Sequence, residues 1–195
     1  MKVLFAGPSL YGADADLTGI ELRPPARQGD LYLAVREGAT AIGLVDGVFG
    51  SVASVWHKEI LFALSEGVAV LGAASLGALR AAECQSYGMR AIGVIAAEYV
   101  AGTRRDDGDV CLVHAPAELD FMPLCEPLVD VEATLAAMVA AGAATNAEAA
   151  TLLAAAQRLY FGDRDVDRLC AEADHPMLAA RYRRHRVGAK SLDAL

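Results

Sequence analysis

The chain has 195 residues, 55% of them hydrophobic and 22% charged, with a formal net charge of −8. That balance excludes a disordered chain and supplies a sizeable core, and neither of the richest apolar stretches, 67–79 and 133–144, reaches the roughly 18 uncharged residues of a membrane span. The apolar start Val3–Ala6 stops at Gly7-Pro8, which reads as no secretory signal, and the acidic body argues against nucleic-acid binding, so the expectation is a globular cytoplasmic protein.

Short apolar runs then alternate with helix-period segments. Lys2–Ala6 predicts a first strand, and 11–27, rich in Gly, Asp and Pro, a loop. A helix is expected over Asp30–Glu37 and a buried strand over Ala41–Val45, ending at Asp46-Gly47. A helix over Val52–Glu66, a strand over Val68–Ala73, a helix over Leu76–Tyr87 and a strand over Ala91–Ile95 follow. This order predicts an α/β fold, a parallel sheet with right-handed crossovers, its strands apolar on both faces. Past the charged turn 103–109, Pro116, Pro123 and Pro127 punctuate an irregular link. From Val131 the chain is Ala-rich and helical, with a capping box at Thr145 and Glu148. The expected division is an α/β domain over 1–130 and a smaller helical region over 131–195.

The end of the chain gathers Arg181, Arg183, Arg184, Arg186 and Lys190 around one acid, Asp193. This predicts a solvated helix face or a protein-docking segment. Cys84, Cys111, Cys125 and Cys170 show no Cys-x-x-Cys spacing, so they read as buried thiols and neither a zinc site nor a redox pair. No dinucleotide, P-loop or His-Glu-x-x-His pattern occurs, and the expectation is no bound cofactor and no metal.

In an open parallel sheet, ligands meet the loops at the carboxyl ends of the strands. Three such loops are legible: Gly7-Pro8-Ser9-Leu10, Asp46-Gly47-Val48-Phe49 and Ala73-Ala74-Ser75-Leu76-Gly77. Ser75 stands between a strand and a helix with small neighbours, the layout of a nucleophile elbow. The Leu76 and Gly77 amides could then hold an oxyanion, although the same serine also suits a plain helix cap. Lys58 lies on a helix with Val55, Trp56, Ile60, Leu61 and Phe62. Desolvation there favours a neutral amine that could serve Ser75 as base. A snorkelling Lys58 paired with Glu59 or Glu37 is the other reading. His57 is a second candidate base, or a structural histidine. Ser9 is a second candidate nucleophile. Asp46 could orient Lys58 or His57, or cap the next helix. Arg80 and Glu83, three apart, read as a supporting pair, with Arg80 also able to meet an anion.

These segments, with Val55-Trp56-His57-Lys58-Glu59-Ile60-Leu61 and Ala74–Glu83, resemble the TfuA-like proteins. The similarity continues through Asp106–Val110, His114-Ala115-Pro116 and Glu126–Val129. It departs from the family pattern at Leu76, commonly methionine, and at Cys84, commonly leucine. The resemblance implies a partner of YcaO enzymes, which use ATP and Mg to activate a peptide amide for thioamide formation. It also implies sulfur delivery, by hydrolysis of a thiocarboxylated, ubiquitin-fold carrier such as ThiS, with the peptide substrate held by YcaO; the local chemistry above would fit that role with Ser75 as nucleophile and Lys58 as base. A groove lined by Gly7, Gly47 and Gly77 would admit the glycine-ended carrier tail. Three other readings remain open: a non-catalytic adaptor that docks on YcaO, a hydrolase of another ester or amide, and a phosphate-binding module.

Overall fold

Alternating burial defines the first strand, β1 (Lys2–Phe5), in which Val3 and Phe5 are buried and Lys2 is exposed. Further strands are β2 (Ile20–Arg23), β3 (Ala41–Leu44), β4 (Ala69–Gly72) and β5 (Arg90–Ala91). Among the described residues they form one parallel sheet of order β2-β1-β3-β4-β5. The computed structural model describes residues 1–50 and 52–195, in two units: Met1–Asp106 with Lys190–Leu195, and Asp107–Ala189.

In the first unit the crossovers carry α1 (Asp30–Arg36), α2 (His57–Ser65) and α3 (Leu76–Cys84). The α/β class expected from the sequence is the one observed. Val3, Phe5, Ile42, Leu44 and Val70 share one buried sheet face. Gly72 shows that α3 covers that face, because a Cβ there would lie 2.1 Å from the Gly77 carbonyl oxygen. On the other face Leu4, Gly43 and Leu71 line an apolar groove of about 260 Å³.

Three local expectations are corrected. Ile20–Arg23, read as loop, is the edge strand β2. Its charged Glu21 and Arg23 hide the β pattern, as edge strands often do. The fourth strand keeps only Arg90–Ala91; at Gly93 the chain turns into α4 (Gly93–Ala101). Helix α2 starts at His57 and not at Val52. The Glu59 carboxylate accepts hydrogen bonds from Trp56 N and Gly29 N, which fixes that start.

The second unit contains α5 (Leu128–Ala140), α6 (Asn146–Arg158), α7 (Val166–Glu172) and α8 (Ala179–Arg184). Leu128, Val131, Leu135 and Met138 form a stripe at helical spacing. It packs with Leu152, Ala155, Leu169, Leu178 and Tyr182 in one core. The capping box forms: Thr145 Oγ1 accepts from Glu148 N at 3.2 Å, and Glu148 Oε2 accepts from Thr145 N at 2.7 Å. The unit begins at Asp107, earlier than the change of composition at Val131. Buried Arg164 explains the difference, since it donates to the Gly108 carbonyl at 2.9 Å and to the Ala156 carbonyl at 2.9 Å. The last helix, α9 (Ala189–Ala194), returns from Lys190 onward to the first unit. Among the described residues no helix is long and apolar enough to cross a membrane.

Candidate functional site

The strand order reverses between β1 and β3, and the carboxyl ends of these two strands flank the crevice where open α/β sheets bind ligands. Gly7–Leu10 follows β1, and Asp46 follows β3. The Asp46 backbone is fixed, because its carbonyl accepts from Ala26 N at 2.9 Å. Its side chain is 1% exposed as part of the residue and turns back to the first loop. Asp46 Oδ2 accepts from Gly7 N and Ser9 N, both at 2.9 Å, and Oδ1 accepts from Ser9 Oγ at 2.7 Å. The Lys190 amine stands 3.9 Å from the same Oδ1. Lys190 is 2% exposed, a rare state for a lysine. Burying a carboxylate or an ammonium alone costs several kcal/mol, so each of these groups depends on the other and on the amide and hydroxyl donors. The result is a rigid polar cluster of Ser9, Asp46 and Lys190 at the sheet edge.

The loop after β4 adds a second feature. Ser75 N donates to the Ala73 carbonyl at 2.7 Å across Ala74, whose φ is +60°. A two-residue hydrogen bond around a positive-φ centre is the pattern of the strained γ-turn, uncommon for a residue other than glycine. Such strain persists only where the surroundings enforce it. Ser75 is buried and leads into α3, yet its side chain makes no capping hydrogen bond to that helix. The corner is tied to the first cluster, since Gly77 N donates to the carbonyl of Val45 at 3.1 Å, one residue before Asp46.

Several expected roles are placed differently. Lys58 is exposed, so the desolvation argued for it is absent, because it sits on the outward side of the first turn of α2. The buried amine of the site is Lys190. His57 is also exposed and bonds Glu83 at 2.8 Å. Asp46 orients neither of them. Arg80 pairs with Glu83 at 2.7 Å and donates to the Val55 carbonyl at 2.9 Å, holding the segment before α2. Of the two amides considered for an oxyanion, that of Gly77 is taken by Val45, and that of Leu76 makes no hydrogen bond among the described residues. Gly47 and Gly77 line no groove. A Cβ at position 77 would lie 1.8 Å from the Leu44 carbonyl oxygen, and one at position 47 would lie 2.0 Å from the Leu76 side chain. These glycines are small because the strand ends and α3 meet there. Gly7 contributes its amide to Asp46.

The basic end of the chain is not one solvated face. Arg186 pairs with Glu126 at 2.8 Å, Arg183 pairs with Asp167 at 2.7 Å, and Lys190 is buried. The four cysteines are buried, as expected, and burial pushes the Cys170 thiol up to about 11. Among the described residues no group of three or more His, Cys, Asp or Glu side chains could hold a metal.

Residues 46–165 match the family model for TfuA-like protein. The chain belongs to the TfuA-like family. No curated protein matches it. For this family member the expected partner is therefore YcaO, and the process peptide thioamidation. Ser75 and Asp46 fall within the matched region, and Ser9 and Lys190 fall outside it. Nothing in the sequence pairs residue 46 with residue 190. The one available signal was Lys190 itself, set after Gly188-Ala189 and apart from the arginines.

Proposed function

We propose that this TfuA-like protein releases sulfide for YcaO by hydrolysing the C-terminal thiocarboxylate of a ubiquitin-fold, ThiS-like carrier. The observation that carries this reading is the buried Lys190 amine within the Ser9–Asp46 cluster, to which the strained Ser75 corner is tied by the Gly77 amide on the Val45 carbonyl. A buried lysine held among serine hydroxyls at a strand end is the arrangement of a Ser–Lys pair.

Ser75 Oγ attacks the thiocarboxylate carbon and Lys190 takes the hydroxyl proton. The Leu76 amide faces the oxygen charge of the tetrahedral intermediate. As the C–S bond breaks, Lys190 returns the proton to sulfur and hydrosulfide leaves. Water then adds to the acyl-serine, again giving a proton to Lys190, which passes it to the Ser75 oxygen. The carrier departs as a carboxylate and one proton goes to solvent. Asp46, held by Ser9 and two amides, fixes the amine. The chain needs no cofactor for these steps, and ATP and Mg serve YcaO.

The test is sulfide release from a thiocarboxylated carrier by Ser75→Ala, Ser9→Ala, Lys190→Ala and Lys58→Ala. Ser75→Ala and Lys190→Ala lose turnover, and Lys58→Ala keeps it. Loss in Ser9→Ala with retention in Ser75→Ala moves the nucleophile to Ser9. Full turnover by Lys190→Ala ends the reading.

The adaptor role has its own support in the helical unit, which leaves Tyr160 and Met177 largely exposed. Such side chains suit a protein partner. Loss of thioamidation by Tyr160→Ser with Met177→Ser, with sulfide release intact, assigns that surface to YcaO.

A further inference from the structure

Asp193 lies on the same short helix as Lys190, three residues on, so the two side chains leave α9 from neighbouring positions. The Asp193 carboxylate is not directed to a cation. Its Oδ2 accepts from Ala74 N at 3.1 Å, and its Oδ1 accepts from Val94 N and from Ile95 N, the latter at 3.2 Å. Val94 and Ile95 open α4, where the helix dipole favours a negative charge. Ala74 is the positive-φ residue of the corner that presents Ser75.

Gly93 fits the same arrangement. Its φ is +87°, and a Cβ there would lie 2.3 Å from the Asp193 carboxyl group, so the carboxylate occupies the space that a side chain at position 93 would need.

One carboxylate thus holds three things. It satisfies the start of α4, it fixes the amide of the strained residue next to Ser75, and it fixes the helix that inserts Lys190 beside Asp46. We infer that Asp193 is the positioning residue of the site, the joint that sets the Lys190 amine and the Ser75 hydroxyl relative to each other. This deepens the Ser75–Lys190 reading above and rests on it. The geometry gives Asp193 no contact with substrate. Without its carboxylate, α9 loses its attachment to the α4 and Ala74 amides, and the amine gains freedom to turn toward water. Small misplacements of a reacting pair are costly, about 100-fold in rate for 1 Å.

The experiment uses the full chain with Asp193→Ala and Asp193→Asn. The first readout needs no turnover: the rate at which an amine-acylating reagent labels Lys190, followed by peptide mass spectrometry. The second is the division of sulfide release into kcat and KM for the thiocarboxylated carrier. In Asp193→Ala, labelling accelerates at least about 10-fold and kcat falls about 10- to 100-fold, with KM within about threefold of the parent. Asp193→Asn keeps one carbonyl oxygen for the amides and falls between, which makes it the informative variant should the alanine chain fold poorly. Unchanged labelling in both variants overturns the inference, as does faster labelling with an unchanged kcat. A drop in kcat that only follows the loss of folded protein, with Lys190 still protected, also overturns it. Should Lys190→Ala retain full turnover, the Ser75–Lys190 reading falls, and the labelling arm still shows whether Asp193 seats the amine.

Discussion

In the α/β unit the buried side chains of Asp46 and Lys190 meet, and Asp46 takes up two backbone amides and the Ser9 hydroxyl as well. The helical unit encloses Tyr182 in its core. That residue is fully buried, and its hydroxyl has no hydrogen-bond partner among the described residues. Thr134 beside it is engaged instead with Val187, accepting from its amide at 2.9 Å. The first unit therefore places satisfied charges at a sheet edge, where local stability is spent on a fixed geometry. The second also satisfies its buried charges, Arg164 on two carbonyls and Glu126 with Arg186, but leaves one orphan hydroxyl inside an apolar stripe, where shape complementarity dominates. Buried polarity marks a candidate site in one unit and a packing compromise in the other.

The sharpest way to break this contrast is catalytic. Lys190→Ala and Ser75→Ala each lower sulfide release by about two to four orders of magnitude, and no substitution confined to the helical core does so while the protein stays folded. Steady-state kinetics on a thiocarboxylated carrier decide it. Next is Asp46→Ala, which takes the Asp46 carboxylate away from the buried Lys190 amine and from the Gly7 and Ser9 amides. It costs the α/β unit about 3–5 kcal/mol, read from the denaturant midpoint. Gly77→Ala forces a methyl group against the Leu44 carbonyl and costs about 1–3 kcal/mol, measured in the same way.

The smallest effect belongs to the helical unit. Tyr182→Phe changes stability at neutral pH by about 1 kcal/mol or less, in either direction, because no hydrogen bond is lost. Its effect emerges in alkali. Burial, reinforced by the Glu126 charge, pushes the Tyr182 hydroxyl well above the ordinary tyrosine range. The unfolded tyrosine ionises as pH passes about 10 and the folded one resists, so its contribution is whole below that pH and is lost above it. The phenylalanine variant lacks that loss, and denaturation curves on either side of pH 10 check it.

The α/β class was legible because apolar runs of four or five residues alternate with helical periods, and because glycines end them. β2 was hidden by Glu21 and Arg23, and α4 by a Val-Ile-Ala-Ala run that suits a buried strand as well as a helix. The Ser75 corner was visible in its small neighbours. The choice of lysine was not. Lys58 lies among apolar residues in sequence, yet α2 turns it outward. Lys190 follows a run of exposed arginines and would pass for one more solvated charge, yet Asp193 draws its helix into the sheet edge. Local context cannot report a contact across so many residues, and only the fold decides which amine is withdrawn from water. The division between units was blurred for a similar reason, since Arg164 binds the carbonyl of Gly108 from far along the chain.

The return of Lys190–Leu195 to the first unit sets an order of assembly. On the ribosome the sheet emerges early, but its edge stays unfinished until the helical unit has been synthesised and α9 has followed it. Until then Asp46 lacks its counter-charge, and the amides of Ala74, Val94 and Ile95 lack the Asp193 carboxylate. Closing so distant a contact is slow compared with forming helices locally. A nascent chain cut short before Lys190 would therefore carry a sheet without a working edge, which couples competence of the site to synthesis of α9.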